Sequence, residues 1–230
     1  MGVSRDDLET VRHLPLFQGL EPDALRSLVR DAEVLACPKQ TAIFEQGDPV
    51  THFFGVLSGW VKLFRLRPDG SEVIIEVFGP GESFAEGAIC MADGYPVSAE
   101  LVEDGRLLAV PVASYIERLR EDPELVVRTF ASLAVNLKRL VSRIESGSSL
   151  NSSQRVGAFL LHFSPPQRPG GGPVDVRLPY DKKLIANRLG MKPETFSRAL
   201  ASLRNHGVAV RGSKARIADL ARLRRHVSPD

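Results

Sequence analysis

Glu194, Ser197 and Arg198 stand at spacings i, i+3 and i+4 in the C-terminal part of the chain. On a helix those spacings share one face. The three side chains together suit the edges of DNA bases. An arginine donates two parallel hydrogen bonds to guanine, a glutamate accepts from the cytosine amino group, and a serine hydroxyl adapts to either role. The same spacing also fits a plain surface helix with an intrahelical Glu194 to Arg198 ion pair. The elements that would hold the triplet decide between the two.

Asp181 can cap a helix whose Leu184, Ile185 and Leu189 lie on one inner face, and Gly190 ends it. Pro193 suits the first position of a second helix. Its Phe196, Leu200 and Leu203 recur at helical spacing on the side opposite the triplet, until Gly207 supplies a stop. Two short helices joined by about three residues form a helix-turn-helix, whose second helix enters the major groove. Residues 208–217 read as strand, Gly-Ser turn and strand, a small wing, and Val174, Val176 and Leu178 alternate as a further strand. A helix starting near Asn151, with Val156, Phe159, Leu160 and Phe163 on its apolar side, opens this winged module, and the Pro/Gly-rich residues 164–173 follow as a loop.

Charge is divided unevenly along the chain. Residues 1–146 hold 15 Lys+Arg against 23 Asp+Glu, a net of −8, and residues 147–230 hold 15 against 5, a net of +10. A basic module on an acidic body fits phosphate binding by the module alone. Lys182, Lys183, Arg188, Lys192, Arg211, Lys214 and Arg216 are the candidate phosphate contacts, which fix register without reading sequence.

Between the halves, Asp122 and Pro123 mark a helix start, and Val126, Phe130, Leu133, Leu137, Leu140 and Ile144 follow at alternating spacings of four and three. That is a coiled-coil seam, so these residues are expected at the centre of a homodimer. Residues 146–149 break the pattern as a hinge. A two-fold dimer presents two recognition helices about one DNA turn apart, and its operator should be an inverted repeat.

The N-terminal part has another pattern. Apolar runs at 34–36, 53–57, 61–66 and 73–78, with an imperfect alternation at 97–101, are accompanied by turn signals at 46–48, 58–59, 67–70 and 79–81, as in a β-roll or jelly roll. Helical segments are expected near 5–13, 22–31 and 113–121. The chain is therefore read as α+β, with a β-roll at 1–121, a dimerisation helix at 122–146 and a winged helix-turn-helix at 147–230. No apolar stretch approaches the ~20 residues that cross a bilayer, and no signal-peptide core is visible. A cytoplasmic chain without membrane contact is the expectation. Cys37 and Cys90 are too few for a disulfide framework or a four-thiolate cluster, and read as buried thiols. No nucleophile motif, phosphate loop or His-Glu-x-x-His spacing is present, so no enzyme is expected. A ligand-binding regulatory module acting on a protein partner is the competing reading.

The order of β-roll, heptad helix and winged helix-turn-helix ending in Glu194-Thr-Phe-Ser-Arg198 resembles the Crp/Fnr superfamily of transcription regulators over nearly the whole chain. Glu-x-x-Ser-Arg is similar to the Fnr-type pattern, whose members read inverted repeats close to TTGAT and ATCAA. Phe84-Ala-Glu86, Met91, Tyr95 and Pro193 to Arg198 look closest to the denitrification regulators that respond to nitric oxide. The resemblance implies base contacts from Glu194, Ser197 and Arg198, a cyclic-nucleotide-binding-like sensing domain, and RNA polymerase as a partner.

In the cyclic-nucleotide-binding members a phosphate cassette runs Gly-Glu-Leu and then Arg-Ser-Ala. Here the matching residues are Glu86, Gly87 and Ala88, then Val97 and Ser98, which mark the candidate effector pocket. The cassette arginine is missing. Loss of such a bidentate partner costs on the order of 2 to 5 kcal/mol, which argues against cyclic nucleotide bound in the usual mode. The cysteine cluster of the iron-sulfur members is also missing. Haem, with His13 or His52 in the sensing half as a ligand, and a redox role for Cys90 are the remaining cofactor readings that the resemblance leaves open.

Overall fold

The computed structural model describes residues 3–91, 93–127, 129–131, 133–134, 137–138, 141, 150–165, 172–178 and 182–228. The chain divides into two compact units at 140/141.

The N-terminal unit begins with α1 (Arg5–Val11), closed by a capping box in which Asp7 N donates to Ser4 Oγ and Ser4 N to Asp7 Oδ2. A 3-10 turn (Pro15–Phe17) and α2 (Pro22–Leu28) follow. Eight strands then form two antiparallel four-stranded sheets: β1 (Glu33–Cys37), β2 (Ala42–Phe44), β3 (His52–Ser58), β4 (Val61–Leu66), β5 (Glu72–Phe78), β6 (Ser83–Phe84), β7 (Ser98–Leu101) and β8 (Gly105–Pro111). One sheet has the order β1-β8-β3-β6 and the other β2-β7-β4-β5. Between them lies a core of Phe44, Phe54, Val56, Phe84, Tyr95, Leu101 and Leu107.

The first sheet is buried on both faces. On β8, Leu107 and Ala109 point into the roll, while Leu108 and Val110 join a second core with Val11, Leu14, Phe17 and Tyr115 from the flanking helices. This double burial gives β8 a continuous apolar run where a half-exposed strand would alternate. The second sheet carries an ion-paired lysine: Lys62 Nζ lies 2.6 Å from Glu72 Oε2 and 3.2 Å from Glu100 Oε1, and 4.5 Å from the Phe64 ring centroid. A buried ammonium is tolerable only with such partners.

After β8 comes α3 (Val112–Glu121). Asp122 Oδ1 then accepts from Glu124 N at 2.9 Å and caps a further helix, to which the described residues between 123 and 141 belong. Leu125 turns inward, whereas Phe130 and Leu137 are 69% and 62% exposed and Val126 and Leu133 half-buried. Leu140, Ile144 and the expected hinge lie outside the described residues.

The C-terminal unit holds α4 (Ser152–His162), β9 (Val174–Arg177), α5 (Lys182–Arg188), α6 (Pro193–Ser202) with a 3-10 extension (Leu203–His206), β10 (Val208–Arg211), β11 (Lys214–Ile217) and α7 (Leu220–Val227). The sheet order is β10-β11-β9. Asn151 caps α4 through Gln154 N. Asp181 is outside the described residues. The sequence reading lacked β2, β6, β8 and α7, and took both thiols as buried. Cys37 is in fact half-buried, because it sits on an edge strand; the Cys90 side chain is not among those described.

Two positions test this architecture. Gly59 has φ +83°, and a Cβ there would stand 2.7 Å from Gly105 Cα. Gly59→Ala should therefore destabilise the N-terminal unit by about 2 kcal/mol, read as a lower unfolding midpoint for that unit in urea. In the C-terminal unit the rings of His206 and His226 stack at 3.8 Å, with Ser153 Oγ 3.0 Å from His226 Nε2 and Arg222 and Arg225 lining the same cleft. Burial, and then the charge of His206, hold the His226 pKa below the ordinary imidazole value. The unfolded chain thus binds the proton more readily, so stability is complete above the unfolded pKa of about 6.5 and is lost as pH falls below it. His206→Gln should flatten that loss in melting curves of the C-terminal unit recorded from neutral to mildly acid pH.

Candidate nucleic-acid interface

The turn between α5 and α6 is fixed by backbone bonds. Leu189, Gly190 and Met191 amides donate to Ile185, Asn187 and Ala186 carbonyls, each at 2.9 Å. Gly190 takes φ +59°, left-handed backbone that glycine adopts without strain. Ile185 and Ala186 of α5 and Phe196, Ala199 and Leu200 of α6 are buried, and Leu203 is fully so. This packing sets the rotation of α6 about its axis, and it leaves Glu194, Ser197 and Arg198 together on the exposed side. Glu194 lies in the first turn, where the helix dipole favours its negative charge.

Lys182, Lys183 and Lys192 are exposed around the same helix pair, and Arg211, Lys214 and Arg216 on the wing. Arg188 is placed differently. Its guanidinium lies 5.0 Å from the Phe163 ring centroid and 5.5 Å from that of Phe159, a cation-π contact that ties α5 to α4. Lys214 pairs across the sheet with Arg211 on one side and with Arg177 on the other. Three cations thus share one cross-strand row, unfavourable by itself and suited to a polyanion. Arg177 was missed in the sequence because only the sheet register joins it to the wing. Arg216 pairs instead with Asp175 across β11 and β9.

A shallow hollow beside Arg198 is lined by Asn151, Ser152, Ser153, Thr195 and Ser202. It brings hydroxyls from the start of α4 next to α6, a juxtaposition that no local spacing reveals.

The candidate effector residues differ in exposure. Glu86 is 7% exposed and acts electrostatically on Tyr115 of α3. Ala88 is in the roll core, and Gly87 is exposed. Ala85 precedes them in left-handed backbone at φ +69°. Val97 and Ser98 are half-buried, with Ser98 Oγ accepting from Gln46 N at 3.0 Å. An arginine does reach this segment, since Arg65 Nε donates to Pro96 O at 3.1 Å, but it is an exposed β4 residue. Burial pushes the Tyr115 pKa up to about 12, against a lowering bond to Thr129 and with a further rise from Glu86. Its hydroxyl lies 2.7 Å from Thr129 Oγ1 on the helix after Asp122, and Thr129 Oγ1 donates to Leu125 O.

His13 is exposed after α1. His52 is half-buried, with Nδ1 3.0 Å from Thr51 Oγ1. Among the described residues no group of three or more His, Cys, Asp or Glu side chains could hold a metal ion, and no helix is long and apolar enough to cross a membrane.

Comparison with known proteins adds to this geometry. Residues 34–122 match the cyclic nucleotide-binding domain family and residues 154–226 the Crp-like helix-turn-helix domain family. The cyclic AMP receptor protein of Thermus thermophilus is 31% identical over 194 residues, 84% of this chain and 87% of its own length. A solved structure from Ruegeria pomeroyi, described as a cyclic nucleotide binding protein, has a TM-score of 0.79 at 35% identity and covers 97% of each chain. The crystal structure of DNR from Pseudomonas aeruginosa has a TM-score of 0.54 at 30% identity, over 97% of this chain and 98% of its own. With a β-roll in the matched N-terminal range and an outward-facing recognition helix in the matched C-terminal range, the chain belongs to the Crp/Fnr family and is a DNA-binding transcription regulator of that type.

Proposed function

We propose that the chain acts as a homodimer that reads an inverted-repeat operator through Glu194, Ser197 and Arg198, under control of a signal received by the N-terminal unit. The observation that carries this reading is the sidedness of α6. Phe196, Ala199 and Leu200 are buried in the module's own core, and the polar triplet is exposed on the other side. Arg211, Lys214 and Arg177 supply backbone charge on the wing. Phe130 and Leu137, exposed at heptad spacing, supply the dimer seam with Val126 and Leu133. The operator is of the Fnr type, close to TTGAT and ATCAA, and the branch is that of the nitric-oxide-responsive denitrification regulators. Pro193 to Arg198 and the likeness to DNR support this assignment. RNA polymerase is the partner through which operator occupancy changes transcription.

Cyclic nucleotide in the usual mode is left out of the proposal. Val97 stands where an arginine would grip the phosphate, and the Ser98 hydroxyl already accepts a backbone bond. The exposed ring of His13 offers haem an axial nitrogen without an enclosing apolar wall, so no haem is assigned to it. Whatever the effector, it must bind one arrangement of the long helix better than another.

Arg198→Ala should lose about 1 to 3 kcal/mol on the specific operator and relax base preference, while Lys183→Ala should weaken all sequences alike and lower the salt slope by about 1. Quantitative footprinting on operator and random DNA tests both; equal losses on the two DNAs for Arg198→Ala would remove the base-reading role. For the seam, Leu137→Asp places like charges across the two-fold axis and should yield monomers in sedimentation velocity. A dimer that persists rules out this seam.

A further inference from the structure

A recess of about 360 Å3 opens into the N-terminal unit where its two sheets present free edges, β1 of one and β2 of the other. None of the five residues matched to the nucleotide cassette lines it. Its walls combine apolar and aromatic Leu35, Ile43, Phe44, Phe54 and Ala109 with the polar Thr41, Thr51 and His52. Phe44 is stacked on Tyr95 at 3.7 Å and 10° and lies 5.8 Å from Phe54, and the Tyr95 hydroxyl is fixed to the His52 carbonyl at 2.6 Å. The aromatic wall is thus held in place before any ligand arrives.

The charged residues of the lining are Glu33 and Asp48, both exposed at the mouth, and it includes neither lysine nor arginine. Two carboxylates without a countercharge repel an anion, so the recess is the electrostatic opposite of a phosphate site. Its size, and its apolar surfaces interspersed with polar groups, fit a small-molecule pocket, and a rigid aromatic wall favours a planar ring.

We propose that this recess is a ligand site for a small uncharged aromatic molecule. The site rests on the reading of this unit as the sensing half. Leu107 and Ala109 of β8 line it, β8 runs directly into α3, and Tyr115 of α3 meets Thr129 of the long helix. A ring wedged against β8 therefore acts at the start of a continuous path to the dimer seam.

The test uses the full-length dimer and a pair of fluorescent probes on one skeleton, neutral N-phenyl-1-naphthylamine and its sulfonated analogue 1-anilinonaphthalene-8-sulfonate. The neutral probe should bind saturably at one site per chain, at least about tenfold more tightly than the sulfonate. It should also slow alkylation of Cys37, a lining residue, by iodoacetamide, as read on the Cys37 peptide by mass spectrometry. Leu35→Trp fills the recess and should weaken the neutral probe by about tenfold or more; Ala42→Trp, on the exposed edge strand, is the second variant if the first fails to fold. Equal affinity for both probes, unaltered Cys37 alkylation, or binding indifferent to the filling variant would overturn the site. Operator binding is measured by anisotropy in the same samples. Absent probe binding with intact operator binding removes only the recess, whereas lost operator binding in the unmodified protein removes the regulatory reading itself.

Discussion

The rotation of one short helix about its own axis is the constraint on which the rest depends. A side chain can read a base edge only if its direction is fixed, and on α6 that direction is set from beneath by Phe196, Ala199 and Leu200. The neighbouring helices α4 and α5 supply what this face packs against. The cation-π contact of Arg188 with Phe159 and Phe163 belongs to the same device. It trades part of a positive charge's freedom for a firmer hold between the helices under the reading face.

Electrostatics then divides the labour. The C-terminal unit keeps a row of like charges, Arg211, Lys214 and Arg177, at a cost that a folded sheet would ordinarily avoid. In the N-terminal unit Lys62 is paired with Glu72 and Glu100, and Arg106 with Asp7 at 2.9 Å. Net positive charge on residues 147–230 and net negative charge on residues 1–146 are what let a phosphate backbone choose its contact surface.

The helix-turn-helix was legible in the sequence because each of its signals is local. Pro193 and Gly207 punctuate the helix, and Phe196, Leu200 and Leu203 repeat at its period. Strand β8 was not legible, since residues buried on both faces erase the alternation by which strands are recognised. Helix α7 was hidden by its own composition: Leu220 and Leu223 are buried, but Arg222, Arg224 and Arg225 make the segment read as a charged tail. Arg177, and the hydroxyls of Ser152 and Thr195, needed the register and the helix packing to reach the interface. The recess was beyond sequence reading for a related reason. Concavity comes from how strand edges are spaced, and periodicity carries no information about that spacing.

The phenol of Tyr115 has one more consequence. Burial pushes its pKa up to about 12, so the phenol keeps its proton around neutral pH. Its contact with Thr129 therefore cannot be switched by acidity, and it can be broken only by moving one partner away from the other. The joint between roll and long helix is a hydrogen bond between neutral hydroxyls, held by position and not by charge.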